Sequence, residues 1–202
     1  MIAGCLYGDG RPLYNGGTEM KLVAVVGMAG AGKTEVARLF CAGGFARVRF
    51  GDITDEMVKS RGLPLSEENE RRVREELRRE HGMAAYAILN QPRIDAALED
   101  GNVVVDGLYS WEEYLYFKEH YRQAFLVVAV TASPRTRYAR LAGRAIRPLT
   151  APEAASRDRA EIENLAKAGP IVMADYTIIN ETTLEELAKA TGAVILSIRG
   201  TA

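Results

Sequence analysis

The stretch Gly27-Met28-Ala29-Gly30-Ala31-Gly32-Lys33-Thr34 constrains this chain more than any other. It fits G-x-x-x-x-G-K-[ST] and follows the continuous apolar run Leu22 to Val26, the pattern of a strand buried on both faces. Beyond it, Val36, Ala37, Phe40 and Cys41 share one helical stripe, and Gly43-Gly44 ends the helix that opens at Lys33. Strand, glycine loop and helix in that order are what a phosphate cradle requires. Glycines let the backbone fold tightly enough for successive N–H groups to point inward, and the helix N-terminus adds positive potential. Residues Gly27, Met28, Ala29, Gly30, Ala31, Gly32, Lys33 and Thr34 are therefore expected to hold a nucleoside triphosphate. Lys33 would serve the β- and γ-phosphates, and the Thr34 hydroxyl would ligate Mg²⁺.

A cradle of this kind sits at the edge of a sheet, and the rest of the chain supplies one. Phe45–Phe50, Val103–Val105, Phe125–Val130, Tyr176–Ile179 and Val194–Ile198 read as further strands. The helices between them are marked chemically. Ser110-x-x-Glu113, Thr150-x-x-Glu153 and Thr183-x-x-Glu186 fit the capping box, and Ser133-Pro134 fits an N-cap followed by proline. Alternation of this sort implies an α/β fold, a mainly parallel sheet with helices on both faces. At 202 residues and 48% hydrophobic, the chain suffices for one such domain and is short for two. Residues 1–19, with five glycines and Pro12, hold no period and are expected to be a poorly ordered extension, an upstream start or a loosely attached arm. Met20 then opens the domain proper, 20–202.

Composition narrows the function classes. With 26 basic against 27 acidic residues, bulk charge argues against a dedicated nucleic-acid or membrane protein. Cys5 and Cys41 cannot make a disulfide framework, and His81 and His120 are too few for a histidine metal site. No apolar run is long enough to cross a bilayer. These features together suit a cytoplasmic protein.

Ligands of such sheets bind beyond the carboxyl ends of the strands. There the chain offers Asp52, in Arg49-Phe50-Gly51-Asp52, and Asp106, in Val105-Asp106-Gly107. Asp106 resembles a Walker B acid that holds Mg²⁺, although an Asp-Gly pair also suits a plain turn. Asp52 can accept a proton from an acceptor hydroxyl, orient metal-bound water, or cap a helix over Thr54–Lys59. Between the second and third strands, Glu67 to His81 alternates acids and arginines, with Glu67–Arg71, Glu68–Arg72, Glu70–Arg74 and Glu75–Arg79 at i,i+4. Only Val73 and Leu77 are apolar, so this helix stands in solvent or caps a cleft, with one or two arginines free to face an acceptor's phosphate. Arginine dominates again at Arg135, Arg137, Arg140, Arg144, Arg147, Arg157 and Arg159, against Glu153 and Asp158. Ala145–Thr150, with Pro148, breaks the helical pattern there and reads as a short lid whose closure would bring Arg144, Arg147, Arg157 or Arg159 to the phosphates. A basic surface meeting solvent or nucleic acid is the other reading of that cluster.

The cradle, Phe50-Gly51-Asp52, Val105-Asp106-Gly107, Arg140-Leu-Ala-Gly-Arg144 and Ala174-Asp175-Tyr-Thr-Ile-Ile-Asn180 occur in the order seen in nucleoside-monophosphate kinases and dephospho-coenzyme A kinase. From Met20 onward the chain most resembles an archaeal family of predicted nucleotide kinases related to adenylate and cytidylate kinases. The resemblance implies a P-loop fold with a five-stranded parallel sheet of order 2-3-1-4-5, here with a possible extra C-terminal strand. It implies an acceptor-binding helical insert over about 52–92 and a short lid over about 144–159. It further implies that Arg140 and Arg144 lie over the adenine and phosphates of ATP, and that the loop after Asn180 borders the base. One departure stands out: adenylate kinases continue the third-strand Asp-Gly with a proline-arginine, and here the run is Leu108-Tyr109-Ser110.

The reading that combines these features is a kinase using ATP and Mg²⁺ on a small nucleotide-like acceptor, of AMP or CMP type or dephospho-coenzyme A. Lys33, Asp52, Arg144 and Arg147 would carry catalysis, and Thr34 and Asp106 the metal. A nucleotide-binding switch or slow ATPase with a protein or RNA partner is the alternative, and an acid-sugar or shikimate-type kinase a third. The exposed polar helix offers no self-complementary apolar face from which an oligomer could be read.

Overall fold

The structure is a computed structural model that describes residues 20–200, together with the backbone of 14–15 and 18–19. The expected extension over 1–19 lies outside the described residues, apart from an antiparallel pairing of Tyr14–Asn15 with Thr18–Glu19. We number the strands of the main sheet β1 (Leu22–Val26), β2 (Ala46–Arg49), β3 (Val103–Asp106), β4 (Phe125–Thr131) and β5 (Tyr176–Ile179). All neighbours pair in parallel, in the order 2-3-1-4-5.

The centre of the sheet is dry on both sides because β1 is apolar at every position and β3 and β4 are apolar up to their last residues, Asp106 and Thr131. Leu22, Ala24 and Val26 of β1 face one core layer, while Val23 and Val25 face the other, and none is exposed to solvent. The first layer is covered by α2 (Gly51–Ser60), α3 (Glu67–His81), α4 (Ala85–Asp100) and α5 (Trp111–Tyr121). The second is covered by α1 (Lys33–Ala42) and α9 (Leu184–Gly200). Two further helices, α6 (Pro134–Ala142) and α7 (Ala151–Leu165), lean on the glycine loop through a small cluster of Ala29, Leu141 and Ala154. A single-turn helix, α8 (Ala168–Val172), follows α7.

The helix starts follow their chemical marks. Ser110 and Thr150 each form both arms of the capping box, and Ser133 accepts the Thr136 N–H ahead of Pro134. Thr183 accepts the Glu186 N–H at 3.2 Å.

The C-terminal run Val194–Ile198 is not a strand but the last turns of α9. Its five residues were expected to extend the sheet, yet Leu187, Thr191, Ile195 and Ile198 repeat at helical spacing and are the buried face of that helix. Periodicity over four turns overrides the β-propensity of one short apolar run. Of the four i,i+4 pairs expected on α3, the structure contains Glu70–Arg74 at 3.5 Å, and Arg74 reaches a further turn back to Glu67 at 2.7 Å.

Candidate functional site

The loop between β1 and α1 takes the shape its glycines permit. Gly27, Gly30 and Gly32 have φ of +146°, +80° and +105°, and a Cβ at Gly27 would stand 2.3 Å from the Val130 carbonyl oxygen of β4. Lys33 folds back across the loop, and its Nζ donates to the carbonyls of Gly27 at 2.9 Å and Met28 at 3.1 Å. Burial beneath the loop and the nearby Lys167 push its pKa down to about 7.

Two residues beyond the motif hold the loop in place. The Asn180 side-chain amide, at the end of β5, donates to the Ala31 carbonyl at 2.8 Å, while Arg140 donates to the Asn180 backbone carbonyl at 3.0 Å. Arg137 is buried and forks onto Asp158 of α7 at 2.8 and 2.6 Å, and it also donates to the Ala29 carbonyl at 3.2 Å. Arg137 belongs to the arginine-rich stretch, but it braces the loop from behind.

A cavity of about 1020 Å³ opens between the loop, the α2–α3 insert and α7. Thr34, Asp106 and Tyr109 form one part of its wall, and Gly51, Thr54, Asp55 and the inner face of α3 form another. Six arginines and six acids line it. Most are paired: Arg47 with Asp106, Arg49 with Asp52 and Asp55, and Arg74 and Arg147 with Glu67 and Glu70. Among the described residues Arg157 uses only its Nε, on Glu161 at 3.0 Å. Arg78 has no hydrogen-bond partner among the described residues. Its Nε is buried and unpartnered, and its guanidinium lies 5.7 Å from the centre of the Tyr86 ring.

The expected site residues divide accordingly. Thr34 and Asp106 share the cavity, and Arg147 reaches it from the irregular segment 143–150, with φ +55° and its guanidinium 3.1 Å from both Glu67 and Glu70. Arg140 and Asn180 instead line a separate groove of about 270 Å³, with Gly32, Glu35, Thr182, Leu184 and Leu187. Two expected residues stand apart from both walls. Asp52 does not line the cavity: α2 starts at Gly51, so Asp52 lies in its first turn tied to Arg49 at 2.7 Å, and Asp55 one turn on faces inward. Nor does Asp52 cap that helix, which has no side-chain cap. Arg144 is exposed and lines neither cavity, because it leaves α6 beyond the last turn that packs on the loop.

Sequence reasoning missed a buried cluster beside the loop. Lys167 is 1% exposed, and its Nζ donates to Glu161 at 2.6 Å and sits 4.9 Å from the Tyr109 ring centre. Burial pushes the Glu161 carboxyl up, but Lys167 and Arg157 outweigh this and hold it below the usual carboxylate range. Burial, with the charges of Asp106 and Glu161, drives the Tyr109 hydroxyl up to about 12, so it is a neutral donor. The available signals were Glu161 four residues after Arg157 and a lone lysine within Leu165-Ala-Lys167-Ala-Gly-Pro-Ile.

Comparison with known proteins fits this geometry. Residues 23–164 match the AAA domain family, from β1 into α7. A UPF0200 protein of Thermococcus kodakarensis is 37% identical over 169 residues, spanning 82% of this chain and 91% of its own. Another, of Methanoculleus marisnigri, is 34% identical over 184 residues, spanning 90% and 98%. The chain belongs to the UPF0200 family. Among solved structures, a gluconokinase from Sinorhizobium meliloti aligns with a TM-score of 0.55 at 14% identity, over 90% of this chain and 94% of that one. A shikimate kinase from Acinetobacter baumannii, solved with shikimate, aligns with a TM-score of 0.50 at 20% identity, over 88% and 94%. At these identities the likeness establishes the fold, that of the P-loop kinases. Among the described residues no helix is long and apolar enough to cross a membrane.

Proposed function

We propose that this chain is an ATP- and Mg²⁺-dependent phosphotransferase that moves the γ-phosphoryl of ATP to a small nucleotide-like acceptor, of AMP or CMP type or dephospho-coenzyme A. One observation carries the reading: Thr34, the last residue of the Gly27–Thr34 motif, lines the same cavity as the α2–α3 insert, so a donor on the motif and an acceptor against the insert would share a compartment. The donor set also fits Mg²⁺. Thr34 and Asp106 are hard oxygen donors, too few for an all-protein cage, and Mg²⁺ keeps waters and takes its remaining ligands from phosphates. Bound there, the metal would neutralise charge on the transferring group.

The residues then take separable roles. Lys33 and the loop amides hold the phosphates. Arg140, Asn180 and the groove ahead of Leu187 border the base. Asp55 takes the acceptor-orienting role that sequence assigned to Asp52. Arg78 holds the acceptor's anionic group, because it is the cavity guanidinium with no hydrogen-bond partner among the described residues, and it compensates for tyrosine at position 109. Segment 143–150 acts as the lid and brings Arg147 over the cavity. Catalysis is mostly positioning and electrostatics. The cytoplasm, where ATP is supplied, is the compartment this chemistry requires.

The test is a screen of the purified protein for ADP formation with AMP, CMP, UMP, GMP and dephospho-coenzyme A. Gluconate and shikimate join the panel because the aligned folds are named for them. Turnover dependent on a nucleotide-type acceptor and lost in Lys33→Ala, with the fold intact, is the expected result. ATP turnover without any acceptor, raised by RNA or a protein, would instead identify a slow ATPase or switch.

A further inference from the structure

The α7 wall of the cavity contains a chain of charge, buried at Lys167 and Glu161 and exposed at Arg157, that the proposed phosphoryl transfer does not yet use. Lys167 Nζ donates to one oxygen of Glu161 at 2.6 Å, and the other oxygen accepts Arg157 Nε at 3.0 Å. Arg157 lines the cavity together with Thr34 and Asp106, and its two Nη groups have no partner among the described residues.

The backbone is shaped to deliver the lysine to this point. Helix α7 ends at Ala166 in the left-handed region, φ +47°, which a side chain with a Cβ seldom adopts. The turn lets the Lys167 N–H donate to the Glu161 carbonyl at 3.3 Å, so the residue is tied to Glu161 by backbone and side chain together. Gly169 keeps α8 against the Trp111 ring of α5, where a Cβ would come within 2.5 Å of the ring. The Tyr109 ring supplies the aromatic face beside the ammonium.

A lysine buried this completely is a costly way to fill space that a methionine would occupy. Its charge does something a methionine could not: it holds Glu161 ionised and fixed between two cations. Arg157 is then gripped at Nε, and its planar fork projects the Nη pair into the cavity. The other arginines of 135–159 are not available for this. Arg137 is bound to Asp158, Arg140 to Asn180 and Arg147 to α3, while Arg135, Arg144 and Arg159 are exposed outside the cavity.

We propose that Lys167 is a positioning residue: through Glu161 it aims the free Nη groups of Arg157 at the γ-phosphoryl of a nucleotide seated on the Gly27–Thr34 loop. The proposal rests on the phosphotransfer reading. It is tested without knowing the acceptor, by calorimetric titration of the full chain with ADP and with the non-hydrolysable ATP analogue AMP-PNP, both with Mg²⁺.

The wild type is expected to prefer AMP-PNP over ADP by about tenfold or more, the size of one strong charge-assisted contact. Arg157→Ala abolishes that preference. Lys167→Met reduces it to a few-fold and leaves ADP affinity unchanged, Lys167→Arg restores it, and the Arg157→Ala/Lys167→Met double variant is no worse than Arg157→Ala alone. Glu161→Gln, which preserves shape, produces the same loss and stands in if Lys167→Met does not fold. A full preference retained in Lys167→Met or Glu161→Gln overturns the proposal, as does one retained in Arg157→Ala. Equal weakening of ADP and AMP-PNP in Lys167→Met would mean a purely structural lysine. A wild type that binds ADP without preferring AMP-PNP overturns the proposal and leaves the phosphotransfer reading standing. A wild type that binds neither nucleotide removes the phosphotransfer reading itself, and the proposal with it.

Discussion

Around the Gly27–Thr34 loop, Lys33, Asn180 and Arg137 all donate to backbone carbonyls; across the cavity, at the proposed acceptor end, Arg49, Arg74 and Arg147 bind carboxylates of α2 and α3. The difference lies in what an incoming ligand can displace. A bond to a carbonyl within a glycine loop changes only if the chain moves, so the cradle is formed in advance. A pair of side chains such as Arg147–Glu67 can exchange one anion for another with a rotamer change, so the proposed acceptor end would reorganise around an anionic ligand.

The strongest way to break the contrast is to attack the fixed end. Arg137→Ala or Asp158→Ala strands a buried charge and is expected to cost about 3–5 kcal/mol of stability, read by denaturant melts, and to weaken ADP binding as the brace behind Ala29 is lost. Asn180→Ala leaves the Ala31 carbonyl without its partner. It should cost about 1–3 kcal/mol and lower nucleotide affinity in titration calorimetry.

Glu113 gives a smaller effect, governed by pH, at the seam between the two ends. Its carboxyl is fully buried under the Tyr109–Ser110 turn, and burial raises its pKa to about 7 despite hydrogen bonds from both backbone amides. The folded state therefore keeps this proton where the unfolded chain has released it. Between the ordinary carboxylate range and about pH 7, the Glu113 contribution makes stability fall as pH rises, and it levels off above that. Glu113→Gln should flatten that part of the stability profile; an unchanged slope in melts across this window would show that another group sets it.

The smallest change is expected at the exchangeable end. Glu67→Gln with Glu70→Gln removes the partners of Arg147, whose side chain is 55% exposed, and should alter stability by less than about 1 kcal/mol, less still at high salt. A loss as large as that of Arg137→Ala would erase the distinction between the two ends.

The same contrast explains what was legible in the sequence. The cradle, β1 to β5 and their order follow from local spacing, caps and a resemblance carried by residues next to strand ends. Side-chain partnership across helices does not. A helix that starts at Gly51 instead of Thr54 rotates its faces and exchanges Asp52 for Asp55. Among the many arginines of 135–159, composition cannot tell that Arg137 is buried against Asp158, that Arg144 is exposed, or that Arg157 lines the cavity. Lys167 carried no motif at all, since its placement depends on a left-handed turn at Ala166, where no glycine marks one.

The bracing of α7 by Arg137–Asp158 also limits what can swing. With that helix anchored to α6, and with the Leu149 N–H bonded to the Leu141 carbonyl at 3.2 Å, segment 143–150 is a small noose drawn shut at its neck. Arg147 rides at the far side of that noose and can sweep only a short arc. Closure of the proposed lid would then resemble a finger bending at its base, and a nucleotide would have to be seated almost correctly before the finger could reach it.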